Sequence, residues 1–396
     1  MGSHDQHPLL RVISAMDADP DGFASDVYFR LWSIDPGLRD LFPASMTHQR
    51  EVLVRALRFV FRSIAEQPDH TALLDFLSQL GRDHRKFGVI DVHYRYFYTA
   101  LMGAIARALG PAWDEEIEAV VTHALMLTTG VMSGAAQSAP GPAVWHAKVV
   151  AKYPVSRGQA VVQLLADRPL TYRAGQSLEV QVPQIPRVWR LLSPSTPANP
   201  QRELEFHVRA VDAGAVSTSI VGQTAVGDVW TLSQSHGSMS VQTTDDVDYA
   251  GNPIPNSRRD VLMVAGGTGI APLRALILEL SKRGDGPRVH LYYGTRYPGE
   301  LFDTPTLARI AAVNPWLRVT LVSEQETDPW WLEGLADLDR YRFRRIHGQL
   351  VDAVLNTGDW SNHQVLLAGS PKMIERTKQG LILAGVRGSF IQHDPY

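Results

Sequence analysis

Apolar residues recur at helical spacing from near the start of the chain to about residue 137. In "REVLVRALRFVFRSIA", Val52, Leu53, Ala56, Leu57, Val60, Phe61 and Ile64 fall on one face. "DEEIEAVVTHALMLTTGVM" repeats the pattern with Ile117, Val120, Val121, Ala124 and Leu125. These periods predict an all-α first domain over residues 1–138, closed by the linker-like "SAPGP" at 138–142. From Val144 the period drops toward two. "AVVQLLA", "SLEVQVP", "ELEFHVRAV" and "DVWTL" predict short strands of a small antiparallel β-barrel domain over 142–252. The polar, turn-rich "TTDDVDYAGNPIPNSRRD" marks a second boundary. Beyond it, "VLMVAG", "VHLYYG", "RVTLVS" and "QVLLAG" read as buried strands alternating with helical stretches. They predict an α/β domain with a parallel sheet over 257–396.

Composition narrows the function. A chain of 396 residues has room for several cores. The net charge of −3 supplies no basic excess for neutralising phosphates, so no nucleic-acid partner is expected. No apolar run approaches the length of a membrane span, and "MGSHDQHPLL" lacks the layout of an export signal. A cytoplasmic protein, monomeric or weakly dimeric, is the expectation. The absence of cysteine excludes disulfides, iron–sulfur clusters and thiolate metal sites. Any electron carrier is therefore organic or held by nitrogen and oxygen ligands, and the 14 histidines make imidazole the first candidate.

"AGGTGIAP" follows the apolar strand Val261–Val264 and opens a helix at Pro272. Gly266, Gly267, Thr268 and Gly269 form a tight turn that lets a pyrophosphate approach the backbone, and the helix N-terminus behind them favours its charge. This string resembles the nicotinamide module of the ferredoxin-reductase superfamily. The resemblance implies that Thr295 and Arg296, ending "VHLYYGTR", face the adenosine ribose, where Arg296 favours a 2′-phosphate, stacks on adenine, or is simply solvated. "LLAGSPKMI" resembles the superfamily's Cys-Gly string, with Ala368 replacing the cysteine and Gly369 retained.

In that superfamily the preceding barrel carries FAD. "WRLLSPSTP" is similar to its flavin motif: Arg190 pairs with the pyrophosphate, Ser193 reaches the isoalloxazine edge, and Leu192 stands where a tyrosine is usual. "GAVSTSI" resembles the second phosphate-binding turn, implying roles for Val216, Ser217 and Thr218, and "YRAGQSLEV" supplies Gln176. At the C-terminus, Asp394 stands where relatives carry a carboxylate. Tyr396 either covers the flavin or belongs to a frayed end.

A flavin splits a hydride into single electrons, which need an acceptor. In "HTALLDFLSQLGRDHRKFGV", Leu73, Leu77, Leu80 and His84 share a helix face. A histidine so placed can equally be a core residue with a satisfied ring. Tyr28 on an early helix, Phe42 after a short turn, Gln49 and Leu53 one turn apart, and Tyr94 ten residues beyond His84 complete a pattern. The first 137 residues resemble a bacterial globin, and the whole chain resembles a flavohaemoglobin. That resemblance implies His84 as the proximal ligand of a haem b and Phe42 as the haem wedge. It also implies Tyr28, Gln49 and Leu53 as the distal pocket, and Tyr94 behind the proximal histidine. It implies FAD and NAD(P)H as the other cofactors, oxygen and nitric oxide as small-molecule substrates, and nitric oxide dioxygenation to nitrate as the activity.

The final helix of this domain, "TTGVMSGAAQ", carries no carboxylate where such proteins have a proximal glutamate, and Asp83 replaces a lysine. With Leu192, these departures resemble a divergent actinobacterial-type branch. That implies altered flavin handling and leaves two alternatives open: an oxidoreductase fed by another donor such as D-lactate, or an oxygen-binding or sensing globin with its own reductase.

Overall fold

The structure is a computed structural model. It describes residues 7–394 apart from 44, 157, 213, 243–258, 285 and 333–336. It divides into two compact units, 1–144 and 145–396. The expected boundaries at 252 and 257 lie outside the described residues.

The first unit is helical, with α1 (Pro8–Ala18), α2 (Pro20–Ile34), α3 (Thr47–Glu66), α4 (Thr71–His84), α5 (Asp91–Leu109) and α6 (Glu115–Ser138). Local chemistry sets several starts. Pro20 opens α2 behind Asp19, whose carboxylate accepts from the Gly22 amide at 3.0 Å. Asp114 accepts from the Ile117 amide at 2.9 Å, and Glu115, Glu116 and Glu118 complement the dipole of the first turn of α6. The apolar face expected of α3 divides its work. Leu57, Val60 and Phe61 enter the core, joined by Val54 from beside that face, and Ile64 packs against it; Val52, Leu53 and Ala56 line a cavity that Leu57 and Val60 also reach, Val52 remaining 38% exposed. Helices α4 and α6 cross at Gly81, where a Cβ would stand 2.1 Å from the Met132 carbonyl oxygen. That close crossing sets the last turn of α4, and with it His84. By length and composition α6 could span a membrane, although the sequence showed no apolar run of that length. Here its Ile117, Val121, Ala124 and Leu125 are buried in the helical core.

The second unit opens with an antiparallel sheet: β1 (Trp145–Ser156), β2 (Gln159–Ala166), β3 (Ser177–Gln181), β4 (Arg190–Leu192), β5 (Glu203–Arg209) and β6 (Val229–His236), with α7 (Ala215–Gln223) after β5. The strand order is β4-β3-β6-β1-β2-β5. A bridge between Pro194, just past β4, and Phe206 of β5 joins the two edges, so the sheet closes as the expected barrel. Trp230, Phe206 and Leu178 are among its buried core.

The parallel sheet comprises β7 (Val261–Gly266), β8 (Val289–Thr295), β9 (Leu317–Ser323), β10 (Arg344–His347), β11 (Gln364–Ala368) and β12 (Ile391–His393) in the order β10-β9-β8-β7-β11-β12. It is wrapped by α8 (Ile270–Arg283), α9 (Thr304–Val313), α10 (Leu350–Leu355) and α11 (Pro371–Leu383). β7 and β11 are buried almost throughout, which explains their unbroken apolar runs. The short edge strands β10 and β12 were not expected. They are only four and three residues long, too short for a periodic signal.

Candidate functional site

In the helical unit, one cavity gathers the six candidate haem-site residues. Tyr28, Phe42, Gln49, Leu53, His84 and Tyr94 line it, among Leu31, Val60, Leu77, Val89, Phe97 and other apolar neighbours. Tyr28 is 4% exposed, and Phe42 meets it edge-on at 5.3 Å between ring centroids. Burial pushes the Tyr28 hydroxyl up to about 12, opposed by a hydrogen bond with Gln49 and by the charge of Arg50. The hydroxyl therefore stays protonated at neutral pH as a donor beside an apolar space.

His84 closes α4. Its Nδ1 lies 2.7 Å from the Leu80 carbonyl oxygen, which can only accept, so Nδ1 carries the proton and the ring's lone pair is on Nε2. The Tyr94 hydroxyl is buried and has no hydrogen-bond partner among the described residues. Burial first, and then the charge of Asp91, push it up to about 12. A largely apolar cavity with an imidazole, a buried donor hydroxyl and an orphaned phenol fits a haem: the walls suit the macrocycle, and His84 supplies an iron ligand of the right type and tautomer.

One carboxylate escaped the sequence reading. Asp91, at the start of α5, accepts hydrogen bonds from the Ser133 hydroxyl and from the Gln137 amide at 2.8 Å. The stretch Thr128–Gln137 of α6 has no carboxylate of its own, but α5 brings one to it. The signal was present in sequence, since Asp91 precedes Tyr94 by three residues and so shares its helix face.

In the second unit a cleft of about 700 Å³ runs along the C-terminal edge of the parallel sheet. Gly266, Gly267, Thr268 and Gly269 line it, with Thr295, Arg296, Gly369 and Asp394. From the barrel come Leu192, Ser193, His207 and Arg209. Gly269 packs so close to β11 that a Cβ would stand 2.3 Å from the Ala368 carbonyl oxygen. Helix α8 starts at Ile270, directly after the turn and two residues before the expected Pro272. Helix α11 starts at Pro371, its Ser370 hydroxyl accepting from the Met373 amide at 3.3 Å. Two helix N-termini thus face one cleft, an arrangement suited to a pyrophosphate. Burial raises the Asp394 carboxyl above its ordinary range, opposed by His393.

Other expected flavin contacts are not among the residues lining this cleft. Gln176 accepts from the Arg173 amide and donates to the Gly237 carbonyl, holding a turn. Arg190 is exposed and donates to the Trp189 carbonyl at 2.9 Å. "GAVSTSI" forms the first turns of α7: Val216 is buried in the barrel, the Ser217 hydroxyl donates to the Gly214 carbonyl, and the Thr218 amide bonds the same carbonyl. Tyr396 lies outside the described residues.

The sequence reading missed a buried polar group beneath the cleft. Arg274 of α8 is 5% exposed. It bonds Asp303 at 2.8 Å, Glu205 of the barrel, and the Ser195 carbonyl at 3.0 Å. His207 bonds Glu205 at 3.1 Å. Burial works to raise the Glu205 carboxyl, but the His207 hydrogen bond, the Arg274 charge and Gln163 together hold it well below the usual range. A lone arginine in the apolar "IAPLRALIL" was the available signal.

The globin family model matches residues 25–132, the oxidoreductase FAD-binding domain model 146–241, and the oxidoreductase NAD-binding domain model 263–379. The chain is 32% identical over 166 residues to the reductase component of phenol 2-monooxygenase from Pseudomonas sp. strain CF600, covering 42% of this chain and 43% of that protein. It is 26% identical to a flavohemoprotein from Bordetella pertussis over 75% of this chain and 76% of the other. The chain spans about half the length of the first of these relatives. Its fold is that of a flavohemoglobin from Malassezia yamatoensis solved with FAD and heme, with a TM-score of 0.71 and 17% identity over 98% of each chain.

Fold and sites define a globin joined to flavin- and nicotinamide-binding reductase domains, with haem, FAD and NAD as the cofactors of those modules. Globin, FAD-binding and NAD-binding domains in this order are the architecture of a flavohaemoglobin, and the chain is similar to such proteins along most of its length.

Proposed function

We propose that this chain is a flavohaemoglobin acting as an NAD(P)H-driven nitric oxide dioxygenase, passing electrons through FAD to the haem site and yielding nitrate. The observation that carries the reading is the donor arrangement in the globin cavity. A buried, protonated Tyr28 hydroxyl is held by Gln49 in the same apolar space as the ligand imidazole of His84. Haem, when bound, supplies the iron at which oxygen and nitric oxide react.

The chain's residues do the rest. His84 would hold the iron through Nε2, with Nδ1–H fixed by the Leu80 carbonyl. Leu53 and Phe42 exclude water and position the ring. Tyr28 donates a hydrogen bond to a ligand that gains negative charge, and Gln49 orients that hydroxyl. In the second unit the turn Gly266–Gly269 and the start of α8 bind the dinucleotide pyrophosphate. Ser193 faces the flavin edge, and Thr295 and Arg296 take the adenosine end. Arg190, Gln176, Val216, Ser217, Thr218, Asp394 and Tyr396 complete the proposed FAD contacts. The domains assigned to these roles are 1–138, 142–252 and 257–396, and the proposed setting is a cytoplasmic monomer or weak dimer.

Anaerobic stopped-flow mixing with NADH, NADPH and D-lactate tests the donor: the nicotinamide is expected to reduce flavin first and haem second. Turnover with nitric oxide under oxygen tests the reaction. Nicotinamide-driven reduction without nitric oxide consumption would reduce the protein to an oxygen-binding globin with a reductase. Reduction by D-lactate alone would favour the organic-acid oxidoreductase.

A further inference from the structure

The parallel sheet has a second cleft, on the edge opposite the glycine turn. It lies where β7, β8, β9 and β10 begin, at Val261, Val289, Leu317 and Arg344, and it encloses about 840 Å³. The cause is a short helix. α10 has only six residues, and its Leu350 and Val354 pack over Leu262, Val264, Tyr292 and Val322. The chain then runs through Thr357 and Trp360 to β11, and among the described residues no helix covers the start of the same sheet face.

The side chains presented there are polar and mostly cationic. His290 pairs in register with Arg318, and Thr320 with Arg344, so the two arginines stand two residues apart along neighbouring strands. Arg288 and Arg342 complete a group of four guanidiniums around the cleft, against one carboxylate among the described residues, Asp260. Among the described residues none of the four forms an ion pair with a carboxylate. The Asp260 carboxylate accepts instead from the Arg288 backbone amide, at 3.2 Å.

The floor is aromatic. His290 stacks on Tyr292 at 4.5 Å, meets Trp360 edge-on at 5.3 Å and bonds the Thr320 hydroxyl at 3.0 Å. The buried Nδ1 of His363 has no hydrogen-bond partner among the described residues. Burial, reinforced by Arg318 and Arg344, holds the His290 imidazole down to about 4, so His290 is a neutral hydrogen-bonding group in a field made by arginine.

Ordinary surface arginines are spread out or paired. Gathering four unpaired ones around a concave, aromatic-floored cleft is unfavourable by mutual repulsion unless an anion occupies it. Planar guanidiniums suit phosphate oxygens in particular, which they bind in pairs. We propose that this cleft binds a polyphosphate anion, either inorganic polyphosphate or the phosphate chain of a nucleotide, at a site separate from the dinucleotide cleft. Arg318 and Arg344 grip the phosphates, and Arg288 and Arg342 flank them.

Tripolyphosphate titrated calorimetrically into the full-length holoprotein tests this at about 0.15 M salt, where weak surface attraction is largely screened. Saturating NAD+ keeps the dinucleotide cleft filled. One-to-one binding is expected, weakened about tenfold or more in the Arg318→Gln/Arg344→Gln double variant. NADH reduction of the flavin in that variant should be unchanged, which checks its folding. Arg296→Gln, in the other cleft, should leave tripolyphosphate binding intact. ATP in a parallel titration separates the two sources: equal affinity identifies the phosphate chain alone, and clearly tighter binding identifies a nucleotide. Absence of binding by both probes, displacement by NAD+, or undiminished affinity in the double variant would overturn the proposal.

Discussion

The Nδ1 of His84 donates to the backbone carbonyl of Leu80 one turn back on α4, at 2.7 Å. The acceptor is neutral. A carboxylate in that position would pull the proton away and make the imidazole a strong electron donor, but a peptide carbonyl does so weakly. Asp91 comes to this side of the cavity yet spends its carboxylate on Ser133 and Gln137, and the Tyr94 hydroxyl is bonded to neither. We expect a ferrous iron–histidine stretch at lower frequency than in globins whose proximal imidazole is polarised by a carboxylate. Resonance Raman of the ferrous protein decides it: a high, imidazolate-like frequency would show that Asp91 acts through Tyr94 after all. His84→Ala should lose the Soret band while flavin absorbance and its bleaching by NADH persist.

Tyr28→Phe removes the buried hydroxyl with little change in shape. A hydrogen bond to a charged acceptor contributes about 1.5–3 kcal/mol, so oxygen should leave roughly 10- to 100-fold faster at unchanged haem content. The raised pKa adds a second expectation. Because burial holds the phenol at about 12, the wild-type off-rate should stay flat from neutral pH into the mildly alkaline range. Flash photolysis across pH measures both. An off-rate that ignores the substitution would mean that Tyr28 does not meet the ligand.

Helical and alternating periods were enough to read the domain order from the chain, because α3, α6, β7 and β11 each bury a continuous face. Of the six globin-cavity residues, Leu53 and His84 lay on predicted apolar helix faces, whereas Tyr28, Phe42, Gln49 and Tyr94 were singled out by the resemblance to globins, Phe42 lying outside any α-helix. What stayed hidden depended on pairing across distance. Asp91 reaches Ser133 over 42 positions, and Arg274 reaches Ser195 over 79. The N-terminal edge of the sheet assembles four arginines drawn from β8, β9, β10 and their leads, which no local pattern connects. His207 and Arg209 could have been found, since they alternate with buried Phe206 and Val208 and so face the other side of β5.

Gly269→Ala tests the nicotinamide turn. The added Cβ would overlap the Ala368 carbonyl at 2.3 Å, with backbone on both sides and no flexible side chain to yield. The turn and the start of α8 must move apart from β11. A displacement on the order of 1 Å in a positioning element can cost about 100-fold in rate. NADH reduction of the flavin should slow by about that much, while FAD content and dithionite reduction remain normal. Normal hydride transfer in this variant would remove the turn from the dinucleotide site.

Arg274 supports the second unit from within. It is the shared partner of Glu205 and Asp303, joining α8 to the barrel where both carboxylates are largely buried. Arg274→Met would leave two buried charges without their cation, and breaking such a pair costs about 3–5 kcal/mol. The unfolding transition of the reductase unit should fall accordingly, seen as early loss of FAD fluorescence quenching, with the Soret band of the globin unit unmoved. The pH dependence has a definite sign. The Glu205 carboxyl is held below its unfolded value of 4.5, so its contribution is complete above that pH and drains away as pH falls toward the lower folded value. Wild-type stability should therefore decline through the acid range below about pH 4.5, and Arg274→Met should flatten that decline because the lowered state has lost its main cation. Chemical denaturation followed from pH 7 down to about pH 3 reads it directly: parallel slopes for the two proteins below pH 4.5 would show that Glu205 is stabilised by His207 and Gln163 alone.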